Sequence, residues 1–86
     1  MYKKWSDDAW EDYLYWQLQD KKTLKKINDL IKSIERDGEN KGLGKPEALK
    51  GNRSGYYSRH INEKNRLIYR VTNAIEIVVC REHYDD

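Results

Sequence analysis

Residues 55–83 read G-Y-Y-S-R-H-I-N-E-K-N-R-L-I-Y-R-V-T-N-A-I-E-I-V-V-C-R-E-H, and the fold class turns on what this stretch forms. Branched and aromatic residues crowd 56–61, 66–72 and 75–82, a composition that fits a pleated, half-buried surface. The turn formers Asn62 to Asn65 and Asn73-Ala74 separate them. Connections this short join antiparallel neighbours, so the stretch predicts a three-stranded meander. The register of its first hairpin stays open. A four-residue connection pairs Ile61 with Arg66 and sets Arg59 on the face of Arg66, whereas an odd-length one sets His60 there, because side chains alternate with a period of two.

Upstream the period changes. Leu24, Ile27, Leu30, Ile31 and Ile34 recur at spacings of three and four, the stripe of an amphipathic helix that starts at Asp20 and stops at Gly38. Ahead of it, Ser6 is placed to cap a helix running to about Gln19, with Asp7 and Asp8 at the positive end of its dipole. Ala9, Trp10, Tyr13, Leu14 and Trp16 fall roughly on one face of that helix. A short strand is expected over Tyr2 to Trp5. Gly38 to Pro46 reads as a loop, and Pro46 leads into a short turn containing Glu47, Leu49 and Lys50. The expected fold class is therefore α+β, two N-terminal helices packed on one face of a small antiparallel sheet whose other face stays open to a substrate.

A chain of 86 residues suits one domain, expected over 1–86. The single cysteine, Cys80, excludes an internal disulfide and, inside an apolar run, is expected to be a buried small side chain. No basic start leads into an apolar stretch and no run approaches membrane-spanning length, so a soluble, cytoplasmic protein without a membrane partner is expected. One cysteine and two histidines without close spacing make no metal ligand cluster, and neither a phosphate-binding glycine loop nor a serine nucleophile motif is present. Chemistry without metal or cofactor is the expectation. Charge is unevenly placed: the first forty residues carry eight Lys and Arg against nine Asp and Glu, whereas 41–70 carry eight against two, with Tyr56, Tyr57, Tyr69 and His60 among them. Cations interleaved with aromatic rings suit single-stranded nucleic acid, the charges tracking phosphates and the rings stacking on bases, although a solvated basic surface explains the charge equally well.

Six stretches, W-S-D-D-A-W-E-D-Y-L-Y-W-Q, K-K-I-N-D-L-I-K, G-K-P-E-A-L-K, S-G-Y-Y-S-R-H-I, N-R-L-I-Y-R-V and C-R-E-H-Y, resemble in order the YoeB branch of the RelE superfamily of bacterial toxins. The resemblance implies a RelE-like, microbial-ribonuclease-like fold. It also implies a type II toxin–antitoxin ribonuclease that cleaves messenger RNA in the ribosomal A site and is silenced by a YefM-type antitoxin. By similarity Glu47 is the general base, Arg66 the phosphate stabiliser and His83 the general acid, with Tyr84 and Lys50 orienting or neutralising the RNA. The family usually shows two arginines after the serine of the S-G-aromatic-aromatic-S motif. Here Arg59 is followed by His60, which leaves open whether Arg59 or His60 holds substrate. The polar-tipped aromatics Trp5, Trp10, Tyr13, Tyr15 and Trp16, in a chain without phenylalanine, suit core, homodimer or antitoxin contacts.

The chemistry is consistent with these residue types. A base that takes the proton of a ribose 2′-hydroxyl lets that oxygen attack the adjacent phosphorus, and an acid protonates the departing 5′-oxygen. A carboxylate is ionised at neutral pH and an imidazole beside phosphate keeps its proton, which suits Glu47 and His83 to those roles. The charge that builds on phosphorus calls for a guanidinium, whose fork binds two oxygens at once. A rival from another class is an RNA- or ribosome-binding module that blocks translation without cutting.

Overall fold

Asp20 settles how the two helices meet. In the computed structural model, which describes residues 1–83, helix α1 spans Asp7–Gln19 and helix α2 spans Lys21–Asp37, so a single residue separates them. The Asp20 N–H donates to Trp16 O at 2.9 Å and closes α1. Its carboxylate accepts from the N–H groups of Lys22 and Thr23 at 3.1 and 3.3 Å and from the Thr23 hydroxyl at 2.8 Å, which opens α2. These bonds, the Thr23 hydroxyl foremost, hold the Asp20 carboxyl below its ordinary range. Ser6 caps α1 as expected, its Oγ accepting from Ala9 N–H at 2.9 Å.

The apolar stripe of α2 is the centre of the core. Ile27, Leu30 and Ile34 are each no more than 2% exposed, and cutting any of them back to alanine costs roughly 2–5 kcal/mol. Helix α1 contributes less. Only Ala9 and Trp16 are buried, and Trp16 donates its indole N–H to Cys80 O at 2.8 Å, tying α1 to the last strand. Trp10 remains half exposed and stacks on Tyr13, with Trp5 edge-on to both rings.

Five strands form one sheet in the order β1-β5-β4-β3-β2: β1 Tyr2–Trp5, β2 Glu47–Ala48, β3 Tyr57–His60, β4 Asn65–Val71 and β5 Ala74–His83. The meander from β2 to β5 is antiparallel, as the short connections require. β1 pairs in parallel with β5, from Tyr2 opposite Ala74 to Trp5 opposite Ile77, because the whole helical hairpin lies between it and the meander; the sheet is therefore mixed. The turn expected around Glu47 is instead a two-residue edge strand, Glu47 opposite Ser58 and Ala48 opposite Tyr57. A short 3-10 turn, Gly51–Arg53, follows it.

Register decides which side chains can reach a substrate. His60 pairs with Arg66 and Arg59 with Leu67, so the connection has odd length. Asn62 explains it: its Oδ1 accepts from the N–H groups of Lys64 and Asn65 at 2.9 and 2.8 Å and closes a turn around five residues. One face then carries Tyr57, Arg59, Leu67 and Tyr69 toward the helices. The other carries Ser58, His60, Arg66 and Ile68.

Arg59 is thus turned inward, and the expectation that it grips substrate is corrected. It is 0% exposed and uses every N–H it has. Nε donates to Tyr69 Oη at 2.8 Å, Nη1 to Ser33 Oγ and Leu43 O at 3.1 and 3.0 Å, and Nη2 to Gly38 O and Lys41 O at 2.8 and 2.6 Å. A buried guanidinium is tolerated because hydrogen bonds replace its lost hydration. The three carbonyls belong to the loop between α2 and β2, so Arg59 is the peg on which that loop is wound. Gly44 lets the loop close over it: at φ +81°, a Cβ there would lie 2.7 Å from Leu30 Cδ2.

Candidate active site

The site begins with two rows of side chains on the sheet face away from the helices. Glu47, Ser58, Ile68 and Val79 lie across β2, β3, β4 and β5 in one row; His60, Arg66 and Glu82 lie in the next. From strand spacing and rise, the backbones of Glu47 and Arg66 are about 12 Å apart, close enough for two long side chains to address one nucleotide. β5 reaches these positions with irregular register against β4, at Arg66/Ile68 and at Ile68/Tyr69. Bulges of this kind bend a strand and re-aim its end.

This face is partly roofed. The segment after β2 folds back over it: Arg53 reaches Glu82 on β5, and Tyr56 lies against the guanidinium of Arg70, 5.0 Å from its ring centre. Ile68 is accordingly 1% exposed although it points away from the helices.

At the end of β5 a cavity of 750 Å³ opens. Arg53, Arg66, Glu82 and His83 line it together with Asp8, Glu11 and Asp12 of α1. His83 pairs with Asn65 and is exposed; strand alternation assigns it to the opposite face from Glu82, yet at the strand's end both border the same space. Arg81 belongs to the wall as well, its guanidinium 3.5 Å from the ring centre of Tyr15. Asp12 accepts from the Cys80 N–H at 3.0 Å, and burial pushes its carboxyl upward.

Of the residues the sequence nominates, Arg66 and His83 meet in this cavity. Glu47 shares the face of Arg66 but is exposed on the edge strand and is not part of the cavity wall. Lys50 is exposed beside it, immediately before the 3-10 turn. His60, one of the two alternatives for substrate contact, is on the Arg66 face and borders a separate hollow of 360 Å³ with Lys26 and Lys45. Tyr84 lies outside the described residues. No group of three or more His, Cys, Asp or Glu among the described residues is arranged to hold a metal ion.

Two residues of the site are not singled out by sequence reasoning. Glu82 accepts from Arg53 through Nη1 and Nη2 at 2.6 and 2.7 Å, and from Arg66 through Nε and Nη2 at 3.0 and 2.7 Å. The Arg53 bonds first, then those of Arg66, hold its carboxyl below the ordinary glutamate range against the opposing effect of burial. The Arg66–Glu82 pair follows from opposite charges at facing positions once the register is known. Arg53 offers no such signal, because the turn that carries it has no period.

A helical hairpin packed on a five-stranded mixed sheet is a fold shared with solved bacterial toxins. The structure superposes on a YoeB/ParE toxin from Agrobacterium tumefaciens with a TM-score of 0.93 at 44% identity, covering 98% of this chain and 100% of that one. Against the YoeB of a Staphylococcus aureus dimer the TM-score is 0.93 at 52% identity, covering 98% of each; a YoeB–YefM complex from the same organism gives 0.92 at 52% identity with the same coverage. In sequence, the toxin YoeB of Escherichia coli K12 is 53% identical over 81 residues, 93% of this chain and 95% of that protein. Residues 5–84 match the profile of the YoeB-like toxin of the bacterial type II toxin–antitoxin system, and the chain belongs to that family.

Proposed function

We propose that this toxin is an endoribonuclease that cuts messenger RNA in the ribosomal A site and so stops translation. Glu47 removes the 2′-hydroxyl proton. The oxygen attacks phosphorus, the bond to the 5′-oxygen breaks, and His83 supplies the proton that oxygen takes, leaving a 2′,3′-cyclic phosphate and a free 5′-hydroxyl. Arg66 stabilises the charge that develops on the phosphate; Lys50, Tyr84 and His60 are assigned to substrate. General acid and general base each contribute about 10² to 10⁴ in rate, so much of the acceleration falls to the arginine and to positioning. The observation that carries this reading is the shared cavity of Arg66 and His83. A YefM-type antitoxin is the proposed regulator and a homodimer the proposed assembly, supported by the Staphylococcus aureus complex and dimer. The place of action is the cytoplasm, in one 86-residue domain that needs no cofactor; no helix among the described residues is long and apolar enough to cross a membrane.

The rival, a module that blocks the ribosome without cutting, draws on the position of Glu47 outside the cavity wall. Incubating programmed ribosomes with the native chain, His83→Gln and Glu47→Ala separates the two. Cyclic phosphate ends from the native chain, lost in both variants while ribosome binding persists, support the nuclease. Translation arrest that survives both substitutions sinks it.

A further inference from the structure

Four N–H bonds from two guanidiniums converge on one carboxylate, that of Glu82. The carboxylate is not sealed in the interior: Arg53, Arg66 and Glu82 retain 41%, 21% and 24% of their side-chain exposure, so an anion from solvent can compete for the same donors. As an anion site it is well made. One guanidinium meets the carboxylate with both ends of its fork while the other brings two donors to a single oxygen. Phosphate oxygens accept guanidinium donors in the same way. The arginines also come from different places, a 3-10 turn and β4, and both bond this carboxylate at the wall of the cavity that holds His83.

We propose that Arg53 and Arg66 form one clamp for a single phosphate group of the RNA, and that Glu82 occupies this clamp as an internal competitor which the phosphate displaces. The proposal rests on reading the cavity as the place where RNA phosphate binds, and it adds Arg53 to the substrate-binding residues. Exchange trades one carboxylate for one phosphodiester of equal charge at these four donors and frees Glu82 from them. Occupancy is therefore set by competition: a weakly presented RNA loses to Glu82, and one held in place beside the clamp wins by effective concentration.

Titration with inorganic phosphate at pH 7, followed through the arginine Nε resonances by NMR, tests the clamp without needing cleavage. Glu82→Gln is expected to bind phosphate about fivefold more tightly than the native chain, the factor set by a competing ion pair of about 1 kcal/mol that no longer has to be broken. Adding Arg53→Gln to Glu82→Gln is expected to abolish the gain. If Glu82→Gln does not fold, as judged by circular dichroism, Glu82→Ala provides the same comparison. Unchanged or weaker phosphate binding in the Glu82 variants overturns the competitor, and a gain that persists without Arg53 overturns the two-arginine clamp. Tighter phosphate binding in a chain that never cuts RNA leaves the clamp standing and removes the nuclease reading instead.

Discussion

Replacing Arg59 with lysine keeps the charge and removes the fork, and the structure sets the size of the effect. The guanidinium makes five hydrogen bonds at 2.6–3.1 Å, through Nε to Tyr69 and through Nη1 and Nη2 to four further oxygens. An ammonium has three N–H bonds to give. At least two acceptors among Ser33, Tyr69 and the carbonyls of Gly38, Lys41 and Leu43 are then left in the dry interior. With a hydrogen bond to a charged group contributing about 1.5–3 kcal/mol, the expected loss is about 3–6 kcal/mol. A chain of this length has a total stability of about 4–13 kcal/mol, so Arg59→Lys is expected to be partly unfolded at 37 °C. Urea unfolding followed by tryptophan fluorescence measures it, as a midpoint shifted down with its slope intact. If the variant unfolds at the native midpoint and has lost only its affinity for RNA, Arg59 is a substrate residue after all and the account of its burial is wrong.

Acid and thiol chemistry offer further checks. Asp20, Glu35, Asp37, Glu76 and Glu82 all have lowered carboxyl pKa values, Asp37 down to about 2 through Arg36 and Ser33. A depressed folded value means stability that is fully present above the unfolded pKa, about 4, and is lost as pH falls through the folded one. The thermal midpoint is therefore expected to hold from pH 7 to 5 and to decline between about pH 4 and 2, with Asp12, shifted upward by burial, the one carboxyl among the described residues acting in the opposite sense against five; a midpoint that stays level down to pH 2 contradicts the ion-pair assignments. Cys80 is 0% exposed and burial pushes its thiol up to about 12, so a thiolate-specific reagent is expected to leave the native protein unlabelled and to react once the chain is unfolded. Rapid labelling of the native state would show that the β5–α1 contact opens.

Much of the architecture is written in local patterns. The three-four spacing of α2 and the capping residues Ser6 and Asp20 mark the hairpin, and the clusters of branched residues after Gly55 mark three of the five strands. These signals are physical necessities of burying one face. What escapes is long-range. Glu47-Ala48 is too short a strand to carry a period, and the parallel pairing of β1 depends on where α1 and α2 return the chain. The face of Arg59 rests on whether the hairpin connection is odd or even, a matter settled by the Asn62 turn. The site is legible to the same extent. Arg66 and His83 are nominated by family resemblance and come together in space, whereas Arg53 and Glu82 become visible only when a turn crosses the sheet.

Because one aspartate ends the first helix and starts the second, the hairpin has no slack. An inserted or deleted residue beside Asp20 would part the two duties of that residue and swing α1 about its C-terminal end. The far end of that lever carries Asp8 and Glu11, which line the cavity along with Arg53 and Arg66. The width of that cavity is thus gauged by a joint at the other end of α1.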